Sequence, residues 1–297
     1  MMETRKGNWS VKGKYVVITG ATSGIGLAAA KEFVKRGAIL GIVARNQAKA
    51  EATAAALKSA EGNDAKVDIF LADMTSQQSI RDVAKDIQNR WPRLDVLINN
   101  AGAMFVKHFT TEDGIEMTWA VNYLAPFLLT KLLLHRLKES GQGRIITTAS
   151  HGHKMARNGI GFDDLSGQKY FRFPHLLMGG PNFRYGETKL ANIMFTAELG
   201  RLLEGTGVSA ACFDPGLVAT NFNQDNGALA RMTMAVMKRF SRTPEKGAET
   251  LVWLADSDEM SFSSGHYYKD MQRDVPSGQA QDPVAAKRLW EMSEIQL

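Results

Sequence analysis

Three glycines join a predicted first strand to a predicted first helix, and that junction narrows the fold more than any other feature of the chain. The strand is Tyr15 to Thr19, the helix Ile25 to Arg36, and between them runs Thr19-Gly20-Ala21-Thr22-Ser23-Gly24-Ile25-Gly26. Glycine permits a tight strand-to-helix turn, lets a ligand approach the backbone, and lets the helix pack close to the strand. The new helix presents free N–H groups and a partial positive charge, which suit a phosphate. The spacing is Gly-x-x-x-Gly-x-Gly, not the Gly-x-Gly-x-x-Gly of many dinucleotide folds. Taken alone, the turn is either a structural junction or a phosphate cradle.

Short β-branched runs then alternate with longer helical ones. Further strands are predicted at Ile39 to Val43, Val67 to Leu71, Val96 to Asn99, Arg144 to Thr148 and Val208 to Phe213, with a last one near His266 to Tyr268. Between them, helices are predicted over Gln47 to Ser59, Ser76 to Arg90, Glu112 to Lys138 (bent at Pro126) and Tyr185 to Leu203. Thr243-Pro244 and Asp282-Pro283 open two more, each as a cap followed by a first-turn proline. This alternation predicts an α/β fold: one Rossmann-type, doubly wound parallel sheet with helices on both faces, forming a single domain over 1–297. Residues 151–183 break the pattern and are read as an irregular insertion over a site. Residues 223–240 carry Leu229, Met232, Val236, Met237 and Phe240 at helical spacing, read as either a substrate lid or a core stripe.

The net charge of +5 comes from scattered residues without a run of five Lys or Arg, which argues against a nucleic-acid surface. Cys212 is the only cysteine, so an intramolecular disulfide is excluded, which suits a reducing compartment. Met1 to Lys14 is polar and charged, and no run of about 20 apolar residues follows, so neither a signal peptide nor a transmembrane segment is expected. The expected location is cytoplasmic.

Further motifs follow in order. Asn99-Asn100-Ala101-Gly102 ends the fourth strand, Asn122 lies in the long helical region, and Ser150 follows the fifth strand. Tyr185-x-x-x-Lys189 opens the next helix, and Pro215-Gly216, then Thr220, follow the sixth strand. Together with the glycine turn, this set resembles the short-chain dehydrogenase/reductase family over residues 12–270. The text around Tyr185 and Lys189-Leu190-Ala191-Asn192 is most similar to its retinol-dehydrogenase-like branch.

The resemblance implies an oxidoreductase that interconverts an alcohol and a carbonyl on an apolar small molecule. Tyr185 would be the general acid/base, Ser150 would hold the substrate oxygen, and Asn122 would support a water-linked proton path. Lys189 would hold the cofactor ribose and lower the phenol's pKa as a nearby cation. Gly20, Thr22, Ser23, Gly24, Ile25 and Gly26 would cradle the pyrophosphate. Asp73 and Met74 would meet the adenine, with a helix cap as the other reading of Asp73. Asn100, Ala101, Gly102, Pro215, Gly216, Val218 and Thr220 would line the rest of the cofactor, with Tyr185 and Lys189. The second strand ends Ala44-Arg45-Asn46, where NAD enzymes place an acid; Arg45 and Asn46 therefore point to NADP(H). No metal is expected, since His151 and His153 lack a partner cluster. Assembly as a homodimer or homotetramer through residues 112–138 and 185–203 is implied by analogy. A reading of another class is a non-catalytic NADP(H)-binding sensor on the same fold.

Overall fold

The β-branched runs become strands because helices on both faces of the sheet cover them, most fully in its centre, while the edge run Val67–Leu71 stays half-buried. The computed structural model describes residues 9–60, 65–218 and 241–297. The strands are β1 (Tyr15–Thr19), β2 (Ile39–Ala44), β3 (Val67–Leu71), β4 (Val96–Asn99), β5 (Arg144–Thr148), β6 (Ser209–Asp214), β7 (His266–Lys269) and β8 (Gln272–Arg273). They form one sheet in the order β3-β2-β1-β4-β5-β6-β7-β8. All pairs are parallel except β7 with β8, a short edge hairpin that sequence periodicity did not reveal. The order reverses between β1 and β4, the switch point where such sheets open a crevice beyond their strand ends.

Two apolar layers sandwich the sheet. On one face pack α1 (Gly24–Lys35), α2 (Gln47–Ala60) and α6 (Pro244–Asp256), through Phe33, Leu57 and Leu251. On the other face pack α3 (Gln77–Arg90), α4 (Met117–Glu139), α5 (Gly180–Leu202) and α7 (Pro283–Ile295), through Ile80, Phe127, Phe195 and Leu289. Among the described residues α4 is the helix long and apolar enough to cross a membrane, and its apolar window is 78% buried inside the fold. The C-terminal helix α7 seals α4 and α5: Trp290 lies 4.8 Å from Phe127 and 5.9 Å from Phe195, ring to ring.

Two boundaries differ from the sequence reading. The helix predicted from Glu112 begins at Met117, because the Glu116 carboxylate accepts from the Thr118 and Trp119 amides at 2.8 and 3.0 Å. A wide π turn at Ala120–Leu124 lies just before Pro126, where the sequence reading expected a bend. Proline has no N–H to give to the carbonyl four residues back, that of Asn122, and the wider turn accommodates this. The helix that carries Tyr185 starts at Gly180, five residues ahead of it, with Gly179 at φ +87° and Pro181 in the first turn. Pro181 thus initiates the helix, where the sequence reading took it as part of the insertion. Residues 223–240, read as a lid or stripe, and Thr220 lie outside the described residues.

Candidate active site

The ends of β1, β4, β5 and β6 lie on one edge of the sheet, and each carries residues singled out from the sequence. At β1, Gly20 turns at φ +71°, and a Cβ there would sit 3.0 Å from the Ala101 Cα. A Cβ on Gly26 would lie 2.3 Å from the Gly20 carbonyl oxygen, so the helix-to-turn contact requires glycine. Ser23 precedes α1 without capping it through its side chain, which leaves the first amides there to a ligand or water. Thr22, Gly24 and Ile25 are half-buried along the same turn.

Asn100 stitches the strand ends together. Its Nδ2 donates to the Thr19 carbonyl at 3.0 Å, and its Oδ1 accepts from Thr148 Oγ1 at 3.3 Å. Thr19, which sequence reasoning passed over, accepts from the Asn100 and Ala101 amides at 3.0 and 2.9 Å through one hydroxyl. Gly102 faces Asn122 and Lys189: a Cβ would come within 3.2 Å of Asn122 Oδ1 and 3.7 Å of Lys189 Nζ.

Asn122 sits in the π turn, and its side chain clamps Ala103. Oδ1 accepts from the Ala103 amide at 2.8 Å, while Nδ2 donates to the Ala103 carbonyl at 2.8 Å and to Thr188 Oγ1 at 3.1 Å. Both of its donors are thereby used in holding the 100–103 loop against α5.

Ser150, Tyr185 and Lys189 meet. The side chains of Tyr185 and Ser150 are hydrogen-bonded, and Lys189 Nζ lies 5.6 Å from the Tyr185 ring centroid. The sequence led us to expect a cation that lowers the phenol's pKa, whereas the structure shows the opposite direction. Burial pushes Tyr185 up to about 12; the Ser150 hydrogen bond opposes this and the charge of Asp214 adds to it. Lys189 does not offset the shift, since its ammonium is itself buried, donates to the Thr148 carbonyl at 2.8 Å, and has its pKa pushed down to about 8.

On the cofactor side, Arg45 and Asn46 are exposed at the end of β2, and Asn46 Oδ1 also accepts from the Lys49 amide at 2.9 Å, at the start of α2. Asp73 does not cap α3: its Oδ1 accepts from the amide and hydroxyl of Thr75, and Ser76 is the cap. Met74 packs half-buried against the core. Gly216 turns at φ +77°, tied by its amide to Asp214 Oδ1 at 2.9 Å. Val218 reaches α6 beside the glycine turn, where a Cβ on Gly247 would meet Val218 Cγ2 at 2.6 Å and Ile25 Cγ1 at 3.3 Å.

Two supports had no sequence signal. Arg184, Glu116 and Glu187 form a fully buried charged triad, with Arg184 Nε on Glu116 at 2.8 Å and Nη1 on Glu187 at 2.6 Å. Arg184 also donates to the Leu165 carbonyl, and Glu187 accepts from the Gly161 amide at 2.7 Å. The insertion is thus pinned to the helix that carries Tyr185. On the other side, His153 Nδ1 donates to the Ser150 carbonyl at 2.7 Å, and Nε2 accepts from the Ser277 amide at 3.1 Å. Those two partners make His153 a neutral imidazole with its proton on Nδ1.

A paired hydroxyl and phenol, a buried lysine beneath them and a glycine cradle at the switch point define a redox site of known architecture. The short chain dehydrogenase family model matches residues 14–161. Retinol dehydrogenase 14 of Mus musculus is 37% identical over 295 residues, covering 95% of this chain and 85% of its own. Retinol dehydrogenase 13 of Homo sapiens is 36% identical, with coverages of 95% and 83%. Among solved structures, an uncharacterised protein from Mycobacterium paratuberculosis superposes with a TM-score of 0.74 at 30% identity, over 97% of this chain and 94% of that one. The L-sorbose reductase of Gluconobacter frateurii, solved with NADPH and L-sorbose, shares the fold with a TM-score of 0.67 at 24% identity, over 93% and 100% of the two chains. This protein therefore belongs to the short-chain dehydrogenase/reductase family, in its retinol-dehydrogenase-like branch, and is an oxidoreductase acting on alcohol and carbonyl groups.

Proposed function

We propose that the chain is an NADP(H)-dependent enzyme that interconverts an apolar alcohol and its aldehyde or ketone, with Tyr185 as general acid/base. The observation that carries this reading is the hydrogen bond between the Tyr185 and Ser150 side chains above the buried Lys189. A phenol held near 12 is fully protonated at neutral pH, which suits proton donation to a carbonyl oxygen during reduction. Ser150 shares a hydrogen bond with that phenol, so a substrate oxygen placed between them meets two hydroxyls. Lys189 sits below, anchored on Thr148, and the 100–103 loop is held in place by Asn122.

The residues present fit a dinucleotide. A Cβ at Gly20 or Gly26 would collide with neighbouring backbone, and the amides at the start of α1 lack a side-chain cap. Gly20 to Gly26 would hold the pyrophosphate, Asp73 and Met74 the adenine side, and Asn100 to Gly102 with Pro215, Gly216 and Val218 the nicotinamide side. Arg45 would take a 2′-phosphate. When bound, the nicotinamide supplies or accepts the hydride. The apolar substrate is supported by the names of the relatives, since retinol is an apolar alcohol. A homodimer or homotetramer belongs to the same reading, but α7 already covers part of α4 and α5, so the contact would use what α7 leaves open.

The test is Tyr185→Phe, assayed against a panel of aldehydes, ketones and alcohols with both cofactors. Dinucleotide binding should survive while turnover falls about 100- to 10,000-fold. A variant keeping more than half of the wild-type rate would overturn the acid/base role. Tight NADPH binding by the wild type with no turnover of any substrate would instead favour a sensor.

A further inference from the structure

The insertion ends in an apolar hook. Phe173, Leu176, Leu177 and Met178 are 80%, 47%, 80% and 67% exposed, on consecutive turns just ahead of the helix that carries Tyr185. Soluble proteins seldom display such a cluster without a partner for it. The hook is ordered by its own backbone: the Leu176 amide donates to the Arg172 carbonyl at 2.9 Å, Leu177 to Pro174 at 3.1 Å, and Met178 and Gly180 to His175 at 3.0 and 2.8 Å. Three of the four apolar side chains, Leu176, Leu177 and Met178, are thus carried on residues whose amides are already paired. Such a segment can enter a low-dielectric layer without stranding those backbone donors. Along the chain the charge of this stretch is one-sided, with Lys169 also lying beside Asp164 of the preceding turn. Lys169, Arg172 and His175 are exposed, and the sequence has no acidic residue between Asp164 and Glu187.

We propose that residues 169–178 form a lipid-surface docking element, with Phe173, Leu176, Leu177 and Met178 entering the headgroup–acyl boundary and Lys169 and Arg172 meeting anionic headgroups. Apolar side chains rimmed by cations are the combination that interfacial binding rewards. Docking there brings the mouth of the Tyr185 site close to the bilayer, where an apolar alcohol or aldehyde is concentrated. The surface stands on exposure, backbone pairing and charge, and does not depend on the substrate reading.

The experiment is co-sedimentation of the full chain with vesicles of phosphatidylcholine alone or with about one-third phosphatidylserine, alongside thermal melting and light scattering. The variants are Phe173→Ser/Leu177→Ser and Lys169→Gln/Arg172→Gln. The wild type should bind the phosphatidylserine vesicles. The apolar double variant should bind at least about tenfold more weakly, since full burial of even one such side chain is worth about tenfold. The charge variant should lose about fivefold per cation on phosphatidylserine vesicles and little on phosphatidylcholine. Melting temperature and turnover of a small water-soluble aldehyde should be unchanged in Phe173→Ser/Leu177→Ser. Wild-type protein that ignores both vesicles, or a double variant that binds as well as wild type, overturns the proposal. So does a fall in melting temperature in the double variant, which would place the hook inside the fold. Self-association of the wild type that the double variant abolishes would make the hook a contact between copies, and overturns it as well.

Discussion

Lys189 donates to the backbone carbonyl of Thr148 at 2.8 Å, so this helix lysine is fastened to the end of β5 before any ligand arrives. Strand and helix are thereby locked in register at the point where Ser150 and Tyr185 must meet. The same burial that permits this bond favours the neutral amine, and the Lys189 pKa falls to about 8.

A pH profile follows from that shift. Carbonyl reduction should lose catalytic efficiency above pH 8, by about tenfold per unit, as the Lys189 cation disappears while Tyr185, near 12, stays protonated. Lys189→Arg should lack this limb, because a guanidinium keeps its charge. A limb that persists unchanged in Lys189→Arg belongs to another group. Folding carries the complementary sign: between about 8 and 10.5 the unfolded lysine holds a proton the folded one has released, so this residue's contribution to stability rises with pH there.

In the NADP(H) reading proposed above, cofactor choice would turn on Arg45, exposed at the end of β2 with Ala44 where an acid would favour NAD. A charge-assisted hydrogen bond is worth about 1.5–3 kcal/mol, or about 10- to 150-fold. NADP(H) should therefore be preferred over NAD(H) by at least about tenfold in kcat/KM. Arg45→Ala should erase most of that margin and leave the NAD(H) rate intact. Equal efficiency with both cofactors in the wild type would remove Arg45 from phosphate recognition.

The layered sheet, the glycine cradle and the Ser150–Tyr185–Lys189 set were legible in the sequence because each is written in local signals: β-branched runs, a glycine spacing, a four-residue helical interval. What stayed hidden depends on partners distant in the chain. Thr19 looks like any strand end until Asn100 and Ala101 arrive 81 and 82 residues later to donate to it. Arg184 and Glu187 look like exposed helix positions until Glu116, Leu165 and Gly161 close over them. The direction of the Tyr185 shift was missed for a related reason. A lysine one helical turn away is visible in sequence spacing, but the burial that governs the phenol is a property of the packed site.

His153 makes the support of Ser150 sensitive to acid. Burial holds its pKa below the ordinary 6.5, against the Ser150 hydrogen bond and with the help of the Lys154 charge. Folded His153 resists the proton that the unfolded chain accepts, so stability present above pH 6.5 is lost as pH falls toward the folded value. Protonated Nε2 would also face the Ser277 N–H with two donors opposed. His153→Asn should flatten the fall in melting temperature between pH 7.5 and 5 by a few degrees, at about 2–4 °C per kcal/mol. Parallel melting curves for variant and wild type across that range would show that His153 does not carry the dependence.

The strongest effect on stability should come from Arg184. Its guanidinium holds Glu116 and Glu187 at 2.8 and 2.6 Å with all three side chains fully buried, and its third arm holds Leu165 in the insertion. Arg184→Met strands two buried carboxylates, which costs about 3–5 kcal/mol, or on the order of 10 °C in melting temperature. Arg184→Lys should recover little of it, because an ammonium cannot span three acceptors in a planar fork. Neutral isosteres of the two acids separate charge from packing. Arg184→Met/Glu116→Gln/Glu187→Gln leaves no stranded charge, so it should regain part of the stability that Arg184→Met loses. Melting temperatures of wild type and the two variants decide it: a triple variant no more stable than Arg184→Met means that lost packing around Trp119, whose ring lies 4.7 Å from the guanidinium, causes the loss instead.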